Sequence, residues 1–293
     1  MKIYILKINK LFQPVTQPFL YPSHNSDYGV EQDFFLYLKK NSNYVTDSPK
    51  SADFHYLPVY WTRWHLNNNY GTKNLDILQE EVQKVILDDN KTFTICQYDD
   101  GPKIDLGKTI VFLASRKTKK GYDIPLLCKP HRIPLFKPPK KYLATFIGRV
   151  KNHKLREKML LELKSRDDIF IYDGIKDENF FVKNILASYI CLSPRGYGGS
   201  SFRFFEALQL GIVPLLIGDL DTRPFKKYID WSKYSLFINN LNNINSLLDS
   251  LDIDKLNIMG QEGKKLYKDE LVYRKWCKYI LYGLESIMLK GDL

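Results

Sequence analysis

The stretch CLSPRGYGGSSFRFFEALQLGIVPLLIG, Cys191 to Gly218, reads as strand, glycine-rich turn, helix and strand. Tyr189 to Ser193 is an apolar run of strand length, broken by Pro194, Gly196, Gly198 and Gly199. Ser200 or Ser201 can cap the following helix, whose broad apolar face carries Phe202, Phe204, Phe205, Leu208 and Leu210. Gly211 stops that helix, and Ile212 to Ile217 forms the next buried strand. A glycine turn feeding a helix N-terminus in a βαβ unit suits a phosphate group: backbone N–H groups point outward and the helix dipole favours an anion. Arg195 and Arg203 can fork onto phosphate oxygens. Glu206 stands three residues after Arg203 on the same helix face; an exposed ion pair is the plainer account of these two. The turn fits neither the dinucleotide fingerprint nor the P-loop, and no GK[ST] string accompanies it. This argues against a nucleoside triphosphatase.

Outward from this unit, an α/β alternation extends in both directions. Leu143–Ile147 reads as a strand leading through Gly148 and Arg149 to a helix over Lys154–Leu163. A strand at Ile169–Tyr172 and a helix at Asn179–Ala187 follow. Such alternation predicts a parallel, doubly wound sheet. Upstream, Lys2–Ile8, Phe54–Trp61, Thr92–Cys96 and Thr109–Leu113 read as strands, and Tyr28–Lys39 and Leu75–Leu87 as helices. Lys129–Lys141 holds Pro130, Pro134, Pro138 and Pro139 and reads as an interdomain linker. The expected division is residues 1–138, a first α/β domain; 139–265, a second α/β domain; and 266–293, a C-terminal helix.

The 293 residues are 44% hydrophobic and 14% aromatic, ample for a folded core. A formal net charge of +11 admits nucleic acid, an anionic membrane surface or an anionic substrate as partner. Cys96, Cys128, Cys191 and Cys277 form no CxxC pair, which indicates neither zinc nor a redox motif and suits a reducing compartment. No hydrophobic stretch reaches transmembrane length, and Lys7 and Lys10 interrupt the N-terminal apolar run. A soluble, cytoplasmic protein is expected.

The string SPRGYGGSSFRFFEALQLGIVPLLIGD resembles the signature of the exostosin family, glycosyltransferase family 47, which runs approximately cPrG....S.R.fEAl..GciPVii. Arg223–Ile238 is similar to the family's Pf...idw..fsv.i. Tyr28–Pro58 is similar to its Y..E..f...l..s...T.dP..AdlffvP, and Ala144–Met159 to its f.G......R..l segment. The resemblance implies an α/β chain of GT-B fold: two Rossmann-like domains facing a cleft, C-terminal helices crossing back, and a nucleotide sugar bound to the second domain. It implies an inverting, metal-independent transfer from a UDP-sugar (xylose, glucuronic acid or similar) to a glycan hydroxyl, with no cofactor and no nucleic-acid partner. A catalytically idle exostosin-like glycan-binding or partner-supporting protein is the alternative.

By this resemblance Arg149, after Gly148, would join Ser200, Ser201 and Arg203 on the diphosphate. Arg156 could join it or remain a solvated helix residue. Glu206 would accept from the ribose hydroxyls, and Arg195, Gly196 and Tyr197 would lie near the base or sugar. The general base would come from the first domain. Asp99 and Asp100 follow a strand in Tyr98-Asp99-Asp100-Gly101, aligned with the family's HDwG, where Tyr98 replaces the histidine; a DDG turn is the simpler reading. Glu31 matches the family's glutamate. His24, Asp27 and His65 stand behind these. Tyr60, Trp61, Trp64 and His65 form an aromatic cluster suited to stacking on an acceptor sugar or to a core. Asp219-Leu220-Asp221 and Asp252-Ile253-Asp254 are DxD strings read as a loop and a helix cap, so no metal site is expected.

Overall fold

The computed structural model describes residues 1–17, 29–128 and 130–290; His24, Asp27 and Lys129 lie outside them. The chain divides into two compact units. Met1–Arg116, Lys120–Ile124 and Tyr273–Leu293 make the first, and Lys117–Lys119 and Pro125–Val272 the second.

In the first unit the elements are β1 (Ile3–Ile5), α1 (Val30–Lys40), β2 (Phe54–Tyr56), α2 (Trp61–Asn67), α3 (Leu75–Val85), β3 (Thr92–Cys96), β4 (Ile110–Leu113) and β5 (Tyr122–Asp123). The five strands pair in parallel in the order β1-β2-β3-β4-β5. Successive side chains of β3 point to opposite faces, and each face meets a helix. Phe93 packs edge-on against Phe34 of α1, ring centroids 5.9 Å apart. Its neighbour Thr94 accepts a 2.8 Å hydrogen bond from Trp61 Nε1 of α2. Strand β2 ends at Tyr56, short of the expected Trp61, because Pro58 cannot donate to the ladder. Trp61 instead opens a helix buried on nearly every side.

The second unit carries β6 (Tyr142–Gly148), α4 (Lys154–Leu163), β7 (Ile169–Asp173), α5 (Glu178–Leu186), β8 (Ser188–Pro194), α6 (Phe202–Leu210), β9 (Val213–Ile217), β10 (Leu236–Ile238), α7 (Ile244–Asp249) and α8 (Ile253–Leu266). Its sheet is all parallel, in the order β10-β9-β8-β6-β7. Ile190 and Leu192 face a core shared with Met159, Leu163, Ile244 and Leu256. Cys191, one residue out of phase, faces Val182, Ile185, Ala207 and Leu210 of α5 and α6. Helices thus cover both faces. Gly211, at φ +75°, ends α6 in the left-handed conformation that a side chain would penalise. Asp252 caps α8 by accepting from the backbone N–H groups of Asp254 and Lys255, as its DxD string suggests.

The proline-rich stretch is not a free linker between domains. The second unit begins at Pro125, and Leu126, Leu127 and Cys128 are buried. His131 N–H donates to Gln209 of α6 at 3.1 Å. Prolines here shape a strap along the unit, held at its start by the buried Leu126–Cys128 run and by the partners of its one histidine.

After α8 the chain re-enters the first unit, ending in α9 (Lys278–Lys290). Asp33 of α1 receives it. Its Oδ2 accepts from Arg274 N at 2.7 Å and Trp276 Nε1 at 2.9 Å, with Cys277 Sγ at 3.7 Å. Trp276 is fully buried, tilted against Phe34 at 6.3 Å. Burial pushes the Asp33 carboxyl above its usual range, against the lowering effect of these donors. Among the described residues no helix is long and apolar enough to cross a membrane.

Removing the Asp33 acceptor strands two buried donors, each costing roughly 1–3 kcal/mol. Asp33→Ala is therefore expected to lower the urea-unfolding free energy of the first unit by about 2–4 kcal/mol. Asp33→Asn, which keeps a carbonyl oxygen, should lose distinctly less.

Candidate active site

In the second unit β6 has β7 on one side and β8 on the other. The chain therefore leaves the C-terminal end of β6 in one direction and returns on the opposite flank. In open parallel sheets such a switch point is where ligands bind. Gly148 closes β6 and Pro194 closes β8, so the two arms of the switch carry the segments with Arg149 and Arg195.

Two arginines are built into this edge. Arg156, from the first turn of α4, is only 4% exposed. Its Nε donates to Arg195 O at 2.9 Å, Nη1 to Arg149 O at 2.9 Å and Nη2 to Pro194 O at 3.3 Å. Arg203, from the first turn of α6, donates through Nε to Ile147 O. Both guanidinium groups lie over the ring of Phe146, at 5.8 Å and 5.0 Å from its centroid. A Cβ on Gly148 would come within 1.8 Å of Arg203 Nη2, so glycine is required there for the guanidinium to fit. Burial, and then the neighbouring Arg203, push Arg156 down to about 9. Burial also lowers Arg203, partly offset by Glu206. Two close cations at a helix N-terminus make an edge that favours an anion.

Around them, Ser201 is the N-cap residue of α6, and its Oγ is buried with no hydrogen-bond partner among the described residues. Ser200 is buried beside it. Arg149 is exposed. Tyr197 is exposed and Gly196 half-buried; a Cβ on Gly196 would stand 3.0 Å from Arg156 Nη2. Arg195 is turned inward instead: its Nε donates to Gly198 O at 3.2 Å and its Nη1 to Asp219. It clips the glycine turn in place. Arg156 likewise is a latch between strand ends and not the solvated helix residue allowed above. The Asp219-Leu220-Asp221 carboxylates are engaged by arginines, Asp219 by Arg195 and Asp221 by Arg223 at 2.8–2.9 Å.

Glu206 is buried, and its Oε1 lies 3.0 Å from His131 Nε2. His131 Nδ1 lies 2.9 Å from Glu178 Oε1. Burial would lower His131, but the hydrogen bonds and charges of Glu206 and then Glu178 outweigh it and hold the imidazole above its ordinary value. Cys128, His131 and Glu206 bring ligand atoms within 4.8 Å of one another, a set able to hold a cation. When protonated, His131 itself places a positive charge between the two carboxylates. Sequence reading missed this residue. Its only local signal is a lone histidine between prolines, and both carboxylates come from distant helices.

The model of the exostosin GT47 domain matches residues 107–251. Over that stretch the chain is similar to the exostosin family. A probable glycosyltransferase of Arabidopsis thaliana is 34% identical over 98 residues, 33% of this chain and 20% of its own length. The exostosin-1 homolog of Caenorhabditis elegans is 23% identical over 285 residues, 81% of this chain and 72% of its own. The chain thus spans a fifth of the first relative. AviGT4, a glycosyltransferase involved in avilamycin A biosynthesis, superposes with a TM-score of 0.41 at 11% identity, over 99% of this chain and 98% of that one.

The first-unit residues expected from the exostosin pattern separate clearly. Glu31 is 1% exposed. Its Oε1 accepts from Thr62 Oγ1 at 2.7 Å, Gln97 N at 3.0 Å and Thr62 N at 3.2 Å. It ties α1 to α2 and to the end of β3 from a buried position. Just beyond Gln97, Asp99 is half-buried and Asp100 exposed, in a turn closed by Gly101 N to Tyr98 O at 2.9 Å with Gly101 at φ +69°. Tyr98, standing where the family has histidine, is turned into the core. Its hydroxyl donates to Tyr70 O at 3.0 Å, and its ring lies 4.7 Å from His65. The acceptor cluster is corrected outright. Tyr60, Trp61, Trp64 and His65 are all buried, because α2 is packed on both sides. Trp64 lies against Phe12 at 4.8 Å, and burial, then Lys103, hold His65 down to about 4.

His131 gives this site a pH signature. Its folded value lies above the unfolded value of about 6.5, so its stabilising contribution is complete below about 6.5 and is lost as pH rises through the folded value. The melting temperature of the second unit is expected to fall across that window, and to fall less in His131→Gln.

Proposed function

We propose that this chain transfers a sugar from a UDP-sugar to a hydroxyl of a glycan, with inversion and without an obligate metal. The observation carrying this reading is the pair of arginines over Phe146 at the N-terminus of α6, beside the unpartnered Ser201 hydroxyl. Arg203, Arg149, Ser200 and Ser201 would hold the diphosphate, with Arg156 fixing the strand ends that display them. Glu206, held by His131, would accept from the ribose hydroxyls, and Tyr197 would lie near the base or sugar.

In the step itself the acceptor oxygen attacks the anomeric carbon as that carbon's bond to the diphosphate oxygen breaks. UDP leaves with the bonding pair, and the hydroxyl proton passes to a base. Charge grows on the leaving oxygen, where arginines and helix N–H groups stabilise it in the role a metal ion plays elsewhere. Asp99 or Asp100 takes the proton. A glycan-binding protein without turnover is the second reading, favoured by Tyr98 in place of the family's histidine.

UDP is expected to bind with EDTA present. Arg203→Ala should weaken it by about 1.5–3 kcal/mol, roughly 10- to 150-fold, with the fold checked by circular dichroism. UDP binding restored only by Mn²⁺ would refute the metal-free reading, and unchanged affinity in Arg203→Ala would refute the site.

With a working acceptor, Asp99→Asn or Asp100→Asn should lower kcat by about 10²–10⁴-fold while leaving UDP affinity nearly intact. No turnover of any nucleotide sugar by the unaltered protein would favour the binding reading.

A further inference from the structure

The strap of the second unit carries a feature that donor binding does not use. Leu135 is 97% exposed and Phe136 91%, the highest values among the large apolar side chains described, with Ile133 beside them at 43%. A single exposed leucine is ordinary. Two adjacent side chains held almost wholly in water, between Pro134 and Pro138-Pro139, are a displayed tip. Its base is anchored: the Lys140 amine donates to Ser188 O and sits 5.0 Å over the Tyr189 ring. Lys137 and Lys140 line a cavity of about 80 Å³ with Gly211, Asn257 and Gln261.

Along the chain the tip is flanked by one sign of charge, and the Glu178 carboxylate, which accepts from Arg132 N at 3.4 Å, is turned to His131 at 2.9 Å. Between Asp123 and Glu157 the sequence has no acidic residue. Arg132, Lys137 and Lys141 flank the tip and are exposed. Lys264 of α8 stands near Lys137, whose charge, after burial, lowers its amine. A nucleic acid or acidic polymer would use the collar and leave the apolar tip wet. Two side chains are too small for a stable protein interface. An apolar tip in a basic collar matches a surface that is anionic outside and hydrocarbon a few ångströms further in.

We propose that residues 132–141 form a peripheral docking element for an anionic lipid surface. Leu135 and Phe136 enter the interfacial layer, and Arg132, Lys137 and Lys141 lie among the headgroup phosphates. This also gives the chain's excess of positive charge a local purpose separate from the diphosphate site.

The test is co-sedimentation of the full chain with phosphatidylcholine vesicles, with and without about 30 mol% phosphatidylserine, at about 0.15 M and about 0.5 M salt. The protein is expected to sediment with the anionic vesicles only, and less at high salt. Leu135→Ser with Phe136→Ser, and separately Lys137→Glu with Lys141→Glu, should each weaken partitioning by about tenfold or more at unchanged melting temperature. In Phe136→Trp, vesicles should blue-shift the added fluorescence, a readout that holds should either double variant fold poorly. No sedimentation with anionic vesicles overturns the proposal. So does a serine variant that binds as tightly as the parent, which would leave a collar for any polyanion, or a Phe136→Trp emission that vesicles do not move.

Discussion

Arg156 commits three of its five donors to the carbonyls of Arg149, Pro194 and Arg195. Those carbonyls lie at the ends of β6 and β8, the strands on either side of the switch point. The ladder reaches one more bond at each end, Arg195 N to Ile217 O and Gly174 N to Gly148 O, and past these the carbonyls need a donor from the side. A buried guanidinium over Phe146 supplies it, and the glycine turn and the start of α6 take their positions from that edge. Arg203 is fixed against the same ring, which leaves Gly148 no room for a side chain. The positive character of the site therefore follows from how the sheet edge is held together.

The same economy appears in the first unit, with the opposite sign. Glu31 and Asp33 sit two residues apart in α1, and both are buried acceptors of backbone and side-chain donors. Glu31 holds α2 and the end of β3, so the Asp99-Asp100 turn leaves the sheet from a fixed point. Asp33 holds the returning C-terminal segment. One short helix thus joins the turn that carries the candidate base to the returning segment around Trp276.

Much of the second unit was legible because its signals are local. Gly211, the turn glycines and the alternation of buried runs each act within a few residues, and α4 spans Lys154–Leu163 as its periodicity predicts. The missed features are those in which a side chain's partner is remote. An acidic residue in an amphipathic helix gives no local sign of burial, so Glu31 read as a candidate base. The aromatic cluster at 60–65 has one appearance in sequence whether it lines a sugar site or a core, and only packing on both sides of α2 decides it. His131 is the sharpest case, because Glu178 and Glu206 stand 47 and 75 residues away.

The return of the C-terminal segment orders how the protein comes into being. The second unit is almost continuous in sequence, ending at Val272. During synthesis its whole sheet and both helical layers can emerge and close while the first unit, made earlier, still lacks Trp276 and α9. The first unit is therefore the last to be completed, and until the segment from Tyr273 onward has emerged Phe34 stays open on the side that Trp276 will cover. Vectorial synthesis thus leaves the discontinuous unit waiting on the continuous one, so chaperone dependence should concentrate on the first unit.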